Sequence, residues 1–263
     1  MKKTIIALMA LAGVASADIT DGLQWAESFG DGYSLTSTFN KNNAFHVENG
    51  VGIAGGNYTD SRVWTTNTGG KFTNAFTFSM KLVDFDASDW QDALSLYTNG
   101  TVSGTNNSIQ LQKNGNGELM VYTDKFTGSN VAGDDSNINL GSIDSLKGQV
   151  LTLVFDATGS SNTLTAYVGG TAITDTVTFT YAEGATASTA LTGFQFGAAF
   201  GNNRVSKSVT VDDIAVWNRA LTAEEVATLP LKAAGSDDAV PEPATTTLSL
   251  LALCGLAARR RRR

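Results

Sequence analysis

Between residues 76 and 82 apolar and polar side chains alternate. Phe76, Phe78, Met80 and Leu82 fall on one side of an extended chain, and Thr77, Ser79 and Lys81 on the other. A period of two predicts a β-strand with one face in a core and the other toward water. Leu151, Leu153 and Phe155 then lead through the polar residues 156–162 into Leu164, Ala166 and Val168, followed by Gly169 and Gly170. That is the pattern of a hairpin with a polar loop and a glycine turn after it. Shorter runs occupy residues 44–53, 94–97, 109–112, 119–122, 177–179, 194–196 and 209–217, separated by Gly, Asn, Ser and Asp. So many short strands predict an all-β, two-sheet antiparallel sandwich. One helix interrupts the pattern: Thr222 and Glu225 have capping-box spacing, the helix runs from Ala223 to Leu229, and Pro230 ends it.

The two ends follow a different pattern. Lys2 and Lys3 precede an apolar run from Ile5 to Val14, and Ala15-Ser16-Ala17 supplies the small-x-small arrangement of a signal-peptide cleavage site. The apolar run is too short to span a bilayer, so residues 1–17 read as a signal peptide cut after Ala17. At the other end Val240-Pro241-Glu242-Pro243 is followed by the apolar residues 244–258 and then Arg259, Arg260, Arg261, Arg262 and Arg263. As a helix the apolar segment rises about 22 Å against a hydrocarbon core of about 30 Å, which makes it marginal as a permanent transmembrane helix. Arginines placed directly after an apolar segment act as a stop at the cytoplasmic side rather than as a nucleic-acid site. The divisions predicted are a signal peptide at 1–17, a sandwich domain at 18–231, a small acidic linker at 232–239 and a tail at 240–263.

With both ends set aside, composition takes on a sharper meaning. Residues 18–239 hold 11 of the 18 Lys and Arg and 24 of the 25 Asp and Glu, a net charge of −13. Such a body repels nucleic acid and acidic polysaccharide, and favours neutral ligands or ligands bridged by a cation. The single cysteine, Cys254, lies in the tail, so the body contains neither a disulfide nor a cysteine nucleophile nor a cysteine metal site.

Two resemblances rest on these residues. The Val240 to Pro243 motif, the apolar stretch and the terminal arginines, in that order, resemble the PEP-CTERM sorting signal of Gram-negative bacteria. This resemblance implies an exosortase-type processing enzyme as partner, a transient stay in the inner membrane through the tail, and delivery to the cell surface or extracellular matrix. The body resembles the laminin-G-like, concanavalin A-like lectin/glucanase superfamily. The resemblance is carried by the strand from Phe76 to Val83 with Trp90 to Leu96 after it, by the hairpin from Leu151 to Val168, and most specifically by Val211-Asp-Asp-Ile-Ala-Val-Trp-Asn-Arg-Ala-Leu-Thr-Ala-Glu-Glu-Val226. It implies a jelly roll whose first and last strands lie close together, closed by the short helix, with the tail helix separate. It does not fix an activity, because this fold serves lectins, adhesion modules and hydrolases.

Retaining glucanases of this scaffold carry a Glu-x-Asp-x-Glu strand, which puts three carboxylates on one face. No glutamate here begins such a motif, and Asp84 and Asp86 have the spacing but are followed by Ser88. His46 is the sole histidine and has no nucleophile elbow to serve. No catalytic residue is therefore assigned. Laminin-G-like relatives hold calcium with loop carboxylates, which makes Ca2+ the one cofactor to consider, with Asp84, Asp86, Asp134 and Asp135 as candidate ligands. For a neutral glycan, an exposed aromatic ring is the expected platform. Trp90, between Asp89 and Gln91, is the first candidate and Trp64 the second, against the general tendency of tryptophan to be buried. Trp25 and Trp217 are assigned to the core. The expectation is a non-catalytic exported lectin or adhesion protein; a structural matrix protein without a ligand and a glycan hydrolase are the alternatives.

Overall fold

Apolar side chains of the alternating strands meet in one layer between two antiparallel sheets. The computed structural model describes residues 19–30, 34–35, 46–54, 75–98, 108–122, 137–158, 162–173, 177–179, 191–197 and 208–229. The larger sheet has ten strands. Its main path runs β12 (Thr171–Ala172), β11 (Asn162–Val168), β10 (Val150–Asp156), β5 (Ala75–Asp86), β15 (Ser208–Trp217), β1 (Leu23–Glu27) and β2 (Ser34–Leu35). Off that path, β13 (Val177–Phe179) pairs with β11, and β4 (Val51–Ala54) pairs with both β15 and β3 (His46–Glu48). The second sheet has five strands in the order β14 (Leu191–Phe196), β6 (Asp92–Thr98), β7 (Ser108–Lys113), β8 (Glu118–Tyr122) and β9 (Ile138–Ser142). The first and last strands are neighbours, with Trp25 opposite Val216.

The core between the sheets contains Trp25, Phe76, Phe78, Met80, Leu82, Phe155, Phe194 and Phe196, all essentially inaccessible to solvent. Phe194 packs within 5.1 Å of Trp25 and 5.3 Å of Phe78, ring centre to ring centre, so one residue of the small sheet ties two strands of the large one. Trp25 and Trp217 are both buried, as their sequence context predicts. No helix among the described residues is long and apolar enough to cross a membrane, and the signal peptide, linker and tail lie outside those residues.

Three expectations are corrected. The run 44–53 is a hairpin rather than one strand, because Asn49 and Gly50 both adopt positive φ, 52° and 76°, and turn β3 back onto β4. The closing helix α2 (Ala223–Val226) is a single turn, with its C-cap at Ala227 instead of a continuation to Leu229. The Thr77 and Ser79 face of β5 does not meet water: both residues are buried. Ser79 shares a 3.0 Å hydrogen bond with Thr152 on β10, and the Thr77 hydroxyl donates to Arg219 O while accepting from Leu221 N–H. A short helix α1 (Ile143–Leu146), capped by Ser142, was not anticipated either.

What covers that outer face is the chain after β15. Trp217, Leu221 and Val226 join Ala26, Val154, Tyr167 and Ala215 in a second apolar cluster, with Ile19, Leu23, Ala220 and Leu229 packed at its border. The capping box is complete, and Glu225 is gripped further by Arg219, whose two terminal nitrogens donate to the two carboxylate oxygens at 2.7 and 2.6 Å. Arg219 also donates through Nε to Asp21 O at 2.8 Å, and the Trp217 indole N–H donates to Ile19 O at 2.7 Å. The two ends of the described chain are thereby clasped together. Close packing reaches the adjoining turn: a Cβ at Gly170, where φ is +80°, would stand 3.0 Å from Ala227 Cα.

Hydrogen bonds from Arg219 above all, with those from Thr222, hold the Glu225 carboxyl below the ordinary glutamate range despite its burial. A carboxyl with a depressed folded pKa stabilises the fold above its unfolded pKa, and that contribution is lost as pH falls through the folded value. Glu225→Gln is expected to cost about 2 kcal/mol in chemical denaturation at neutral pH, since it removes one partner of a largely buried, hydrogen-bonded pair. The gap between variant and parent should narrow only below the ordinary glutamate value of 4.5. A gap that stayed constant down to the acid transition would show that the ion pair contributes nothing.

Candidate carbohydrate-binding face

Five residues connect β5 to β6, and the chain there does something costly. Trp90 adopts φ 65°, in the left-handed region, although it is bulky and has a Cβ. For a side chain of this kind that conformation costs about 1–2 kcal/mol. The surroundings enforce it. Trp90 N–H donates to Lys113 O at 2.8 Å and Lys113 N–H donates to Gln91 O at 3.1 Å, pinning the loop to the end of β7. The Gln91 side chain accepts from Ser88 N–H at 2.7 Å, and the Lys113 ammonium donates to Ala87 O at 3.0 Å while pairing with Asp89 at 3.2 Å. Immediately after the loop, Asp92 is buried and accepts a 2.6 Å hydrogen bond from the Gln112 amide.

The product of this arrangement is a displayed indole. Trp90 is 53% exposed, so the general tendency of tryptophan to be buried does not hold at this position. Its ring lies 6.5 Å from that of Tyr122 at an interplanar angle of 55°, forming an open two-sided aromatic corner. Val121 points into the core, so Tyr122, the next residue of β8, faces outward. The corner therefore lies over the outer face of the five-stranded sheet, away from the clasp.

Polar residues carry that outer face. Gln195, Ser95, Gln110 and Tyr122 stand in register across β14, β6, β7 and β8, and Asp92 stands in register with Gln112. Gln195, Ser95, Gln110 and Gln112 are all buried, which makes this a polar layer beneath the surface rather than an open groove. These residues and Tyr122 were not singled out from sequence. The alternation Ile109-Gln110-Leu111-Gln112 marked the amides as the non-core face, but only strand register places them beside Trp90.

The other candidates separate. Trp64, Asp134 and Asp135 lie outside the described residues, as do Ala15, Ala17, the Val240 to Pro243 motif and the arginines. Asp84 and Asp86 end β5, and Asp84 holds the Lys147 ammonium at 3.0 Å. Hydrogen bonds donated to Asp84 and then to Asp144 raise the Lys147 pKa, so at neutral pH a cation already occupies the Asp84 carboxylate. Among the described residues no group of three or more His, Cys, Asp or Glu side chains is placed to hold a metal ion. His46 sits on the edge hairpin with Nε2 3.6 Å from Glu48.

Comparison with known proteins agrees with this architecture at both levels. Residues 239–263 match the PEP-CTERM protein-sorting motif, which implies export and processing by an exosortase. A search of the curated proteins found no match. Among solved structures, the chain is similar to the binding domain of botulinum neurotoxin serotype C1, at 12% identity and TM-score 0.52 over 80% of this chain and 52% of that one. It is similar to botulinum neurotoxin type C, whose cell entry depends on two ganglioside molecules, at 14% identity and TM-score 0.50, covering 80% of this chain and 50% of the other. The binding domain of botulinum neurotoxin DC, solved with rat synaptotagmin II, is 13% identical with TM-score 0.51, over 79% and 51%. The chain spans about half the length of these structures, and at such identities the likeness is one of fold.

If Trp90 is strained as described, removing the ring with and without a Cβ separates the two effects. Trp90→Gly is expected to be about 1 kcal/mol more stable than Trp90→Ala in denaturant titration, because glycine occupies positive φ without penalty. An alanine variant at least as stable as the glycine variant would remove the strain.

Proposed function

We propose that this protein is an exported, non-catalytic, laminin-G-like or concanavalin A-like lectin sandwich that recognises carbohydrate or mediates surface adhesion, with Trp90 as its sugar-stacking platform. The observation that carries this reading is the exposed indole held in a left-handed backbone by Lys113, Gln91 and Ser88. Strain that the surroundings over-determine clusters at binding sites, and an indole face gains about 1 kcal/mol or more by packing against the C–H face of a pyranose. Tyr122 supplies a second wall. The sorting motif supports a destination outside the cytoplasm, at the cell surface or in the matrix. The shared fold with a toxin whose entry involves gangliosides supports carbohydrate as the ligand class. The non-catalytic part of the reading is supported by the engagement of Asp84 with Lys147 and by the lack of a Glu-x-Asp-x-Glu strand.

A glycan array probed with the full chain in detergent, with and without calcium, tests the reading. Saturable binding that falls at least about tenfold in Trp90→Ala, the loss of roughly 1.4 kcal/mol of stacking, is the expected result. No binding anywhere on the array would favour the structural matrix role, and release of reducing sugar from a polysaccharide would favour a hydrolase.

A further inference from the structure

The distribution of charge around Trp90 adds a property that the aromatic corner alone does not have. Four cationic side chains occur among the described residues, and each is already held by a carboxylate. Lys81 pairs with Asp212 at 3.6 Å, Lys147 with Asp84 at 3.0 Å, Arg219 with Glu225 at 2.6 Å, and Lys113 with Asp89 at 3.2 Å. Lys113 is the one bonded to the Trp90 loop, and its ammonium is turned to Asp89 and Ala87 O, away from solvent. Asp89 immediately precedes Trp90 and is half-exposed. Glu118, on the strand that carries Tyr122, keeps its carboxyl below the ordinary glutamate range through hydrogen bonds from Asn114, Asn139 and Asn116, so it is ionised at neutral pH. Among the described residues, therefore, a sugar approaching the corner meets an aromatic surface, carboxylates and one masked ammonium. An anionic sugar such as a sialoside, a uronate or a sulfated residue needs an unpaired cation to replace its lost hydration.

We infer that Asp89 is a specificity-determining residue: by holding Lys113 it keeps the Trp90 corner selective for uncharged sugars. This rests on the reading of Trp90 as a sugar platform. Asp89 is assigned no contact with the ligand; it acts through Lys113, as a charge that rejects competitors rather than one that attracts the preferred partner. Asp89→Asn preserves the shape of the side chain and releases the ammonium from its ion pair, leaving it free to meet a carboxylate on a bound sugar.

The test compares the full chain in detergent micelles with its Asp89→Asn and Asp89→Asn/Lys113→Gln variants, using a neutral glucan oligosaccharide and sialyllactose as probes at low and high salt. The parent is expected to bind the glucan, with little change on adding salt, and to bind sialyllactose far more weakly. Asp89→Asn should gain about two- to fivefold affinity for sialyllactose, the scale of a partly exposed charge pair, and this gain should vanish in the double variant and at high salt. Tighter binding of sialyllactose than of glucan by the parent, or no gain in Asp89→Asn, would overturn the selectivity role while leaving the platform standing. Binding of neither probe by any of the three proteins, all shown to be folded by circular dichroism, would remove the platform itself and this inference with it.

Discussion

Everything in this sandwich depends on β15 being satisfied on both faces at once. Its core face carries Val209, Val211, Ile214 and Val216, and its outer face carries Ala215 and Trp217, while β5 and β1 hydrogen-bond along its two edges and β4 pairs with its first half. A strand so enclosed cannot end in water. The segment after it folds back over the outer face, where the Arg219–Glu225 pair and the Trp217 indole tie it to Ile19 and Asp21, 198 residues earlier in the chain. Contacts of such sequence separation are paid for in loop-closure entropy before they contribute anything, so the clasp forms only once β1 and β15 have been brought side by side.

The two layers are finished differently. The outer face of the ten-stranded sheet is covered by the chain's own end and carries both termini of the described body, and its former polar stripe is consumed in internal hydrogen bonds. The outer face of the five-stranded sheet is instead finished with amides and hydroxyls, and the loop entering β6 presents an indole there. Two irregularities interrupt the pairing of β5 with β15: Asp213 takes φ 47° at a bulge, and a second shift falls between Thr210 and Val211, beside Asp84.

Much of the chemistry around the site is local electrostatics that cancels. Although residues 18–239 are strongly acidic, the described cations are not scattered on the surface but each is spent on a specific carboxylate. Exposed pairs of this type contribute little to stability individually, and their larger effect is that none of the cations among the described residues is left without a carboxylate. Glu225 is the exception, since burial and three donors make it part of the structure rather than of the surface.

By itself the sequence determined the sorting tail, the class and the last strand. Charge and hydropathy order are one-dimensional properties, so the PEP-CTERM motif could be read directly, and a period of two dictated strands at 76–82, 151–168 and 209–217 because each side chain alternates across a pleated chain. The capping box at Thr222 and Glu225 was equally visible, since its partners are three residues apart. Only the tertiary structure decided that Thr77 and Ser79 are buried, because what covers them arrives from residues 219 and 221. The sequence ranked Trp90 first and assigned Trp25 and Trp217 to the core, but how the Trp90 indole is held out, by a positive φ and by bonds to Lys113, is set by how β7 meets the β5–β6 loop. Pairing across sheets brings together residues far apart in the chain, and that information exists in no local stretch of it.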